Sequence, residues 1–284
     1  VRDLVSRRSF LLGSAGLVAV ACGACGKEKP DIDVSKSDTT TAPKDVSLVV
    51  ASYVHVAGID ERVTVALINA NAGPVKADGP VSISIDGKPV EAVLHSEGIS
   101  LPYYLIRHRF DAPGIHNIVA KAGSQTFTSP IEVGDAAAAT IPIPGKPLIR
   151  TATPTVADNR GVNPICTRQP ACPLHDVSLD AALDEKRPIA LLFATPALCQ
   201  SQLCGPVLDN LLAARDEFGG KVRMLHSEIY VDLQGKTLAP AVQAYHLESE
   251  PFLFLAGADG VVRERLDNAY DKAEVRAALG RLVA

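Results

Sequence analysis

The chain has 284 residues, with 47% hydrophobic and 21% charged, a length that suits about two ordinary domains. That composition excludes an intrinsically disordered chain, which would be poorer in Val, Ile and Leu, and with a formal net charge of -4 nothing points to nucleic acid, which usually demands a basic face. The six cysteines are unevenly placed: Cys22 and Cys25 stand near the start, Cys166, Cys172, Cys199 and Cys204 in the second half, and none lies between Lys27 and Ile165. One part of the folded chain therefore uses sulfur and another does not.

Residues 1–26 read as an export address. Arg2, Arg7 and Arg8 make a positive start, and the apolar run from Phe10 to Ala21 follows. That run is too short to span a bilayer, which needs about 20 apolar residues, so the layout is that of a signal peptide rather than a transmembrane helix. Ser6-Arg7-Arg8-Ser9-Phe10-Leu11 resembles a twin-arginine signal, which implies export of the folded chain across a bacterial membrane. Val20-Ala21-Cys22 resembles a bacterial lipobox, with Ala19 where that pattern has Leu. The resemblance implies a lipid on Cys22 and a place on the extracytoplasmic face of the cell membrane. Residues 27–44 are rich in Lys, Asp, Ser and Thr and lack apolar periodicity, which predicts a flexible tether.

Residues 45–135 alternate with period two. Ser47–Ala51, Arg62–Ile68, Val81–Ile85, Tyr103–Phe110, Gly114–Ala120 and Gln125–Thr128 are strand candidates, and Asp86-Gly87 is a hairpin turn signal. Short strands separated by recurrent turns predict an all-β sandwich. The segment resembles the immunoglobulin-like domains of bacterial surface proteins, without the Cys-Trp-Cys core of antibody domains. His55, His95, His108 and His116 are scattered here and are expected to be surface or packed residues, and the sandwich itself is expected to be a spacer or docking module.

Residues 136–146 are rich in Ala and Pro and read as an interdomain linker. Residues 147–284 alternate between helix and strand. Leu179–Lys186, Pro206–Phe218, Ala239–Tyr245 and Lys272–Val283 have helical spacing. Pro188–Ala194 is a continuous apolar run, as in a strand covered on both faces, and Val222–Val231, Phe252–Ala256 and Val261–Leu266 complete the strands. The order βαβαβ and then ββα predicts a mixed sheet with helices on both sides.

That succession resembles thioredoxin, so the whole chain is expected to be multidomain, an all-β sandwich followed by an α/β thioredoxin-like domain. Two local features carry the resemblance: Cys199-Gln-Ser-Gln-Leu-Cys204-Gly205-Pro206 between a buried strand and a helix, and Glu250-Pro251-Phe252-Leu253 at the place of the family's cis-proline. The resemblance implies catalytic roles for Cys199 and Cys204, and a substrate groove at Glu250 and Pro251. A thiol attacks a disulfide only as thiolate, and a helix N-terminus lowers a cysteine pKa. The spacing here is C-x4-C, where the family has C-x2-C after a Trp. The Cys-Gly-Pro match makes Cys204 the attacking residue, whereas distance from the strand assigns that role to Cys199, and both assignments stay open.

Cys166 and Cys172 flank a Pro-rich loop, and the economical pairing of the remaining cysteines is a structural disulfide between them. Cys172-Pro-Leu-His175 is a fragment of a metal site, but zinc needs two further ligands, and neither a metal nor another cofactor is expected. The function expected is that of an extracytoplasmic, membrane-anchored thiol–disulfide oxidoreductase whose partners are protein thiols or disulfides. Two alternatives stand beside it. One is a non-catalytic thioredoxin-like binding lipoprotein with permanent disulfides. The other is a copper chaperone similar to the Sco family, for which His226 and His246 are the downstream histidines.

Overall fold

The computed structural model describes residues 45–71, 73–77 and 79–284. Arg7, Arg8, Cys22 and the tether 27–44 lie outside the described residues. The described chain is mostly β-sheet with few helices.

The strands of its first part are β1 (Val46–Val50), β2 (Asp60–Asn69), β3 (Gly73–Val75), β4 (Val81–Ile85), β5 (Lys88–Val90), β6 (Val93–His95), β7 (Tyr103–Arg109), β8 (Gly114–Ala122) and β9 (Gln125–Val133). They build two antiparallel sheets, β1-β2-β7-β6 with β3 on β2, and β5-β4-β8-β9. Val63, Val65, Leu67 and Ile106 from one sheet share a core with Ile83, Ile85, Ile118 and Ile131 from the other. Asp86 and Gly87 join β4 to β5 with positive φ at both positions (49° and 77°), the conformation that matches the twist of a tight hairpin. The strands β3 and β6 carry no signal in the sequence, and β5 is announced only by the Asp86-Gly87 turn. Each is short and borrows its backbone pairing from a longer neighbour.

β2 is buried on both faces for different reasons. Val63, Val65 and Leu67 point into the sandwich core, while Arg62, Thr64 and Ala66 alternate with them and are also buried. That second face packs against the C-terminal part of the chain. Ala51, Ala66 and Tyr103 form a small apolar cluster with Leu203 and Ala269.

Around this cluster lies a network of buried charge. Arg62 Nε donates to Glu274 Oε1 at 2.6 Å, and its Nη2 donates to Glu274 Oε2 at 2.8 Å and to the carbonyl of Ala269. Tyr103 donates its hydroxyl to Glu274 and accepts the Asp271 N–H at 2.9 Å. Burial alone would raise the Glu274 carboxyl, but the Arg62 guanidinium together with the Tyr103 hydroxyl and His95 holds the group below its ordinary value. Buried, paired charges thus tie the two parts of the chain together, and each ion left without its partner would bear a desolvation cost of several kcal/mol.

Residues 136–146 do not behave as a free linker. Asp135 caps a single 3-10 turn at Ala136–Ala138, Ile141 and Ile143 are buried, and the Lys146 carbonyl accepts the Val262 N–H at 2.9 Å. The two isoleucines amid Ala and Pro are what dock the segment. The strand that the expected βαβαβ order would start with is absent too. From Ala139 to Ser178 the chain has neither helix nor strand, and Pro147 makes only an isolated bridge to Val261.

The C-terminal part contains α1 (Leu179–Asp184), β10 (Ile189–Phe193), α2 (Cys204–Ala213), α3 (Arg215–Phe218), β11 (Arg223–Ser227), α4 (Pro240–Ala244), β12 (Phe252–Ala256), β13 (Val262–Asp267) and α5 (Lys272–Val283). Its sheet runs β11-β10-β12-β13, with β10 parallel to β11 and the other pairs antiparallel. Period two sorts β10 into both cores. Ile189, Leu191 and Phe193 pack with Leu179, Val242 and Tyr245, while Ala190, Leu192 and Ala194 pack with Val207, Leu211, Val275 and Leu279. Helices thus cover both faces of the sheet, which explains the unbroken apolar run. Among the described residues no helix is long and apolar enough to cross a membrane.

Candidate functional site

Cys204 is the first residue of α2, and Cys199 lies in the turn before it. The N-cap residue Leu203 provides no side-chain cap. The sulfur of Cys199 takes that place, accepting the Cys204 N–H at 3.3 Å, with the Ser201 hydroxyl 3.2 Å away. These contacts, led by the hydrogen bond from the Cys204 thiol, lower the Cys199 pKa to about 5. Cys199 is half-buried, whereas Cys204 is fully buried and burial pushes its thiol far up. The geometry separates the two sulfurs that the sequence left interchangeable: Cys199 is the reachable, ionised one, and Cys204 the inner, protonated one.

Glu250 completes this cluster. Its Oε2 accepts the Thr195 N–H at 2.7 Å and lies 3.3 Å from the Cys204 sulfur. The two sulfurs and a Glu250 oxygen all fall within 4.8 Å of one another. Burial raises the Glu250 carboxyl to about 7, with the Cys199 charge adding to the rise. The sequence assigned Glu250 to the substrate groove. Its side chain instead turns inward toward Cys204, because the Thr195 amide at the end of β10 offers it a buried donor. The Glu250–Pro251 peptide is cis, and Pro251 is buried. Tyr53 of the sandwich covers this step, donating its hydroxyl to the Glu250 carbonyl at 2.8 Å and setting its ring 5.7 Å from that of Phe252.

Beside the dithiol turn opens a cleft of about 410 Å³. Val49, Val50 and Ile68 of the sandwich form one wall, and Ser201, Gln202 and Leu203 the other. An apolar cleft with few polar groups is the usual form of a recognition site.

The second pair of cysteines forms a separate cluster. Cys166 and Cys172 are free thiols, buried together with His175 and His226, and the ligand atoms of all four lie within 4.8 Å of one another. Cys172 Sγ is 3.4 Å from His226 Nδ1 and 3.2 Å from His175 Nε2, and Cys166 Sγ is 3.8 Å from His226 Nδ1. In place of the disulfide expected from loop spacing, each sulfur thus faces imidazole nitrogen. The Cys172–His175 spacing was visible in the sequence. His226 comes from β11 and Cys166 from the irregular loop, so only the fold could bring them in. His246 belongs to neither cluster.

No family model matches the chain, and no curated protein matches it. Among solved structures it is similar to the solution structure of the PKD domain from human VPS10 domain-containing receptor SorCS2. That likeness has 15% identity, covers 42% of this chain and 99% of the other, and has a TM-score of 0.23.

Proposed function

We propose that this chain is a thiol–disulfide oxidoreductase with a thioredoxin-like domain docked on an immunoglobulin-like sandwich, exported through its twin-arginine-like signal and anchored by lipid at Cys22. The observation that carries the reading is the asymmetry of the dithiol: Cys199 half-exposed at a helix N-terminus with its pKa lowered to about 5, Cys204 buried beneath it, and a carboxylate against Cys204.

In the reducing direction, the Cys199 thiolate attacks one sulfur of a partner disulfide. A bond forms between Cys199 and that sulfur, and the other partner sulfur leaves as thiolate. Glu250 takes the proton of Cys204, whose sulfur then attacks Cys199. The mixed disulfide breaks, the second partner thiolate leaves, and the two electrons of the dithiol have passed to the partner. The oxidising direction is the reverse. The role of Glu250 needs a carboxyl whose pKa lies near working pH, and about 7 meets that need. The cleft walled by Val49, Val50 and Leu203 would seat an apolar side chain of the partner polypeptide. This gives the sandwich a share in recognition beyond that of a spacer.

The Sco-like alternative requires a histidine beside Cys199 and Cys204. Among the described residues, the side chain grouped with both sulfurs is Glu250. The test is equilibration of the full chain against glutathione redox buffers, followed by alkylation and mass analysis. Reversible closure of Cys199–Cys204, together with a mixed disulfide that accumulates on Cys199 in the Cys204→Ser chain, supports the proposal. A pair that stays oxidised or stays reduced across the whole series sinks it.

A further inference from the structure

We propose that Cys166, Cys172, His175 and His226 bind one Zn²⁺ ion in a closed tetrahedral site that clamps the long irregular segment onto the sheet. A tetrahedron with Zn–S of about 2.3 Å and Zn–N of about 2.05 Å holds its ligand atoms about 3.3–3.8 Å apart. Of the six distances among the four atoms, four are 3.2 Å (Cys172–His175), 3.4 Å (Cys172–His226), 3.8 Å (Cys166–His226) and 3.2 Å (His175–His226), and Cys166–Cys172 and Cys166–His175 are within 4.8 Å. The four known separations match the edges of such a tetrahedron to within about 0.3 Å.

The surroundings are those of a ligand set. His226 donates Nε2–H to the Ala194 carbonyl at 2.9 Å, which fixes the tautomer and leaves Nδ1 free to face the sulfurs. Cys166 Sγ accepts the Cys172 N–H at 3.3 Å. His175 Nδ1 has no hydrogen-bond partner among the described residues, so Nε2 is the only polar anchor of that ring. All four side chains are buried, at 3%, 6%, 2% and 1% exposure in chain order. Two thiolates and two neutral imidazoles around Zn²⁺ carry no net charge, the arrangement that minimises the cost of such burial. An S2N2 tetrahedron with no open position suits structural zinc.

The fold gives the ion something to do. Ala139–Ser178 has no helix or strand of its own, an unusual length for a stretch within a compact body. Three ligands belong to this stretch and the fourth to β11, so binding would close a long loop against the sheet and add directly to folding free energy.

The clamp also touches the dithiol cluster through one peptide group. The Ala194 carbonyl accepts from His226, while the N–H on the other side of the same amide plane, that of Thr195, donates to Glu250.

The experiment is metal analysis of the purified full chain from zinc-replete cells, with cobalt substitution of the stripped protein. One zinc per chain is expected, retained in Cys199→Ser and Cys204→Ser and lost in Cys172→Ser and His226→Ala. If a ligand variant fails to fold, the wild-type cobalt spectrum decides. The visible bands of tetrahedral cobalt with thiolate charge transfer support the site. Three results overturn it: a native chain that takes up neither zinc nor cobalt, peptide mapping that finds Cys166 bonded to Cys172 in the native chain, or a site that fills with Cu(I) and refuses zinc.

Discussion

Glu250 and Cys204, far apart in sequence, meet with Oε2 at 3.3 Å from Sγ, and the same oxygen accepts the Thr195 N–H. A buried thiol with a high pKa is a poor nucleophile until a base takes its proton, and this carboxylate is the group in position to do so.

Glu250→Gln keeps the shape of the side chain and removes the base. The first attack, by Cys199, is expected to keep its rate within a few-fold. Resolution by Cys204 is expected to slow by roughly 10²-fold, at the low end of what general-base catalysis contributes, so the mixed disulfide accumulates. Quenched-flow trapping with mass analysis separates the two steps. Equal slowing of both would remove Glu250 from the role given to it.

The pH dependence of the two thiols should differ. Alkylation of Cys199 is expected to rise through about pH 5 and level off above it, while Cys204 stays unreactive across the neutral range. A stabilised thiolate favours the reduced form, so the Cys199–Cys204 couple should be oxidising, above roughly -200 mV. Ser201→Ala removes a contact that lowers the Cys199 value and should shift the potential downward. An unchanged potential in Ser201→Ala, with the alkylation midpoint also unmoved, would show that the hydroxyl plays no part.

Stability should carry the opposite signature from Glu250. Its folded value, about 7, exceeds the ordinary 4.5, so the folded state binds this proton more tightly than the unfolded state. The contribution is fully present below 4.5 and is lost as pH rises through about 7. Urea midpoints of the reduced chain should therefore show a downward component across that window, which Glu250→Gln abolishes. Parallel pH curves for the two proteins would contradict the assignment.

Arg62 and Glu274 join the two parts of the chain through side chains that are 3% and 1% exposed. Arg62→Met leaves the Glu274 charge buried without its ion partner and should cost about 3–5 kcal/mol. Adding Glu274→Leu to that variant should restore a large part of the loss, since the unpaired charge is then gone. Denaturation of the single and double variants measures this directly. Simple additivity of the two losses would mean that the pair does not interact.

Much of the fold was legible because burial imposes a period. The strand β12 and the helix α5 lie at the expected bounds, since Phe252–Ala256 is an apolar run and Lys272–Val283 has one apolar face ahead of which Asp271 caps the helix. Arg62–Ile68 read correctly as a strand for an incomplete reason. Its alternation does not show that Arg62 and Thr64 are buried too. Residues 136–146 read as a linker from composition, which does not reveal that Ile141 and Ile143 find a core to enter.

The same division holds for the sites. Local chain chemistry determined which cysteines neighbour each other, that one pair stands at a helix start, and that a proline loop follows Glu250. The sequence alone could not choose between Cys199 and Cys204, because the choice depends on exposure and on a carboxylate that arrives from a distant turn. Nor could it join Cys166 and Cys172 to His226, which is delivered by a strand from elsewhere in the sheet. Hydrophobic periodicity and turn chemistry are local and survive in one dimension. Proximity between distant polar groups, with the desolvation and pairing that set their chemistry, exists only once the chain has closed on itself.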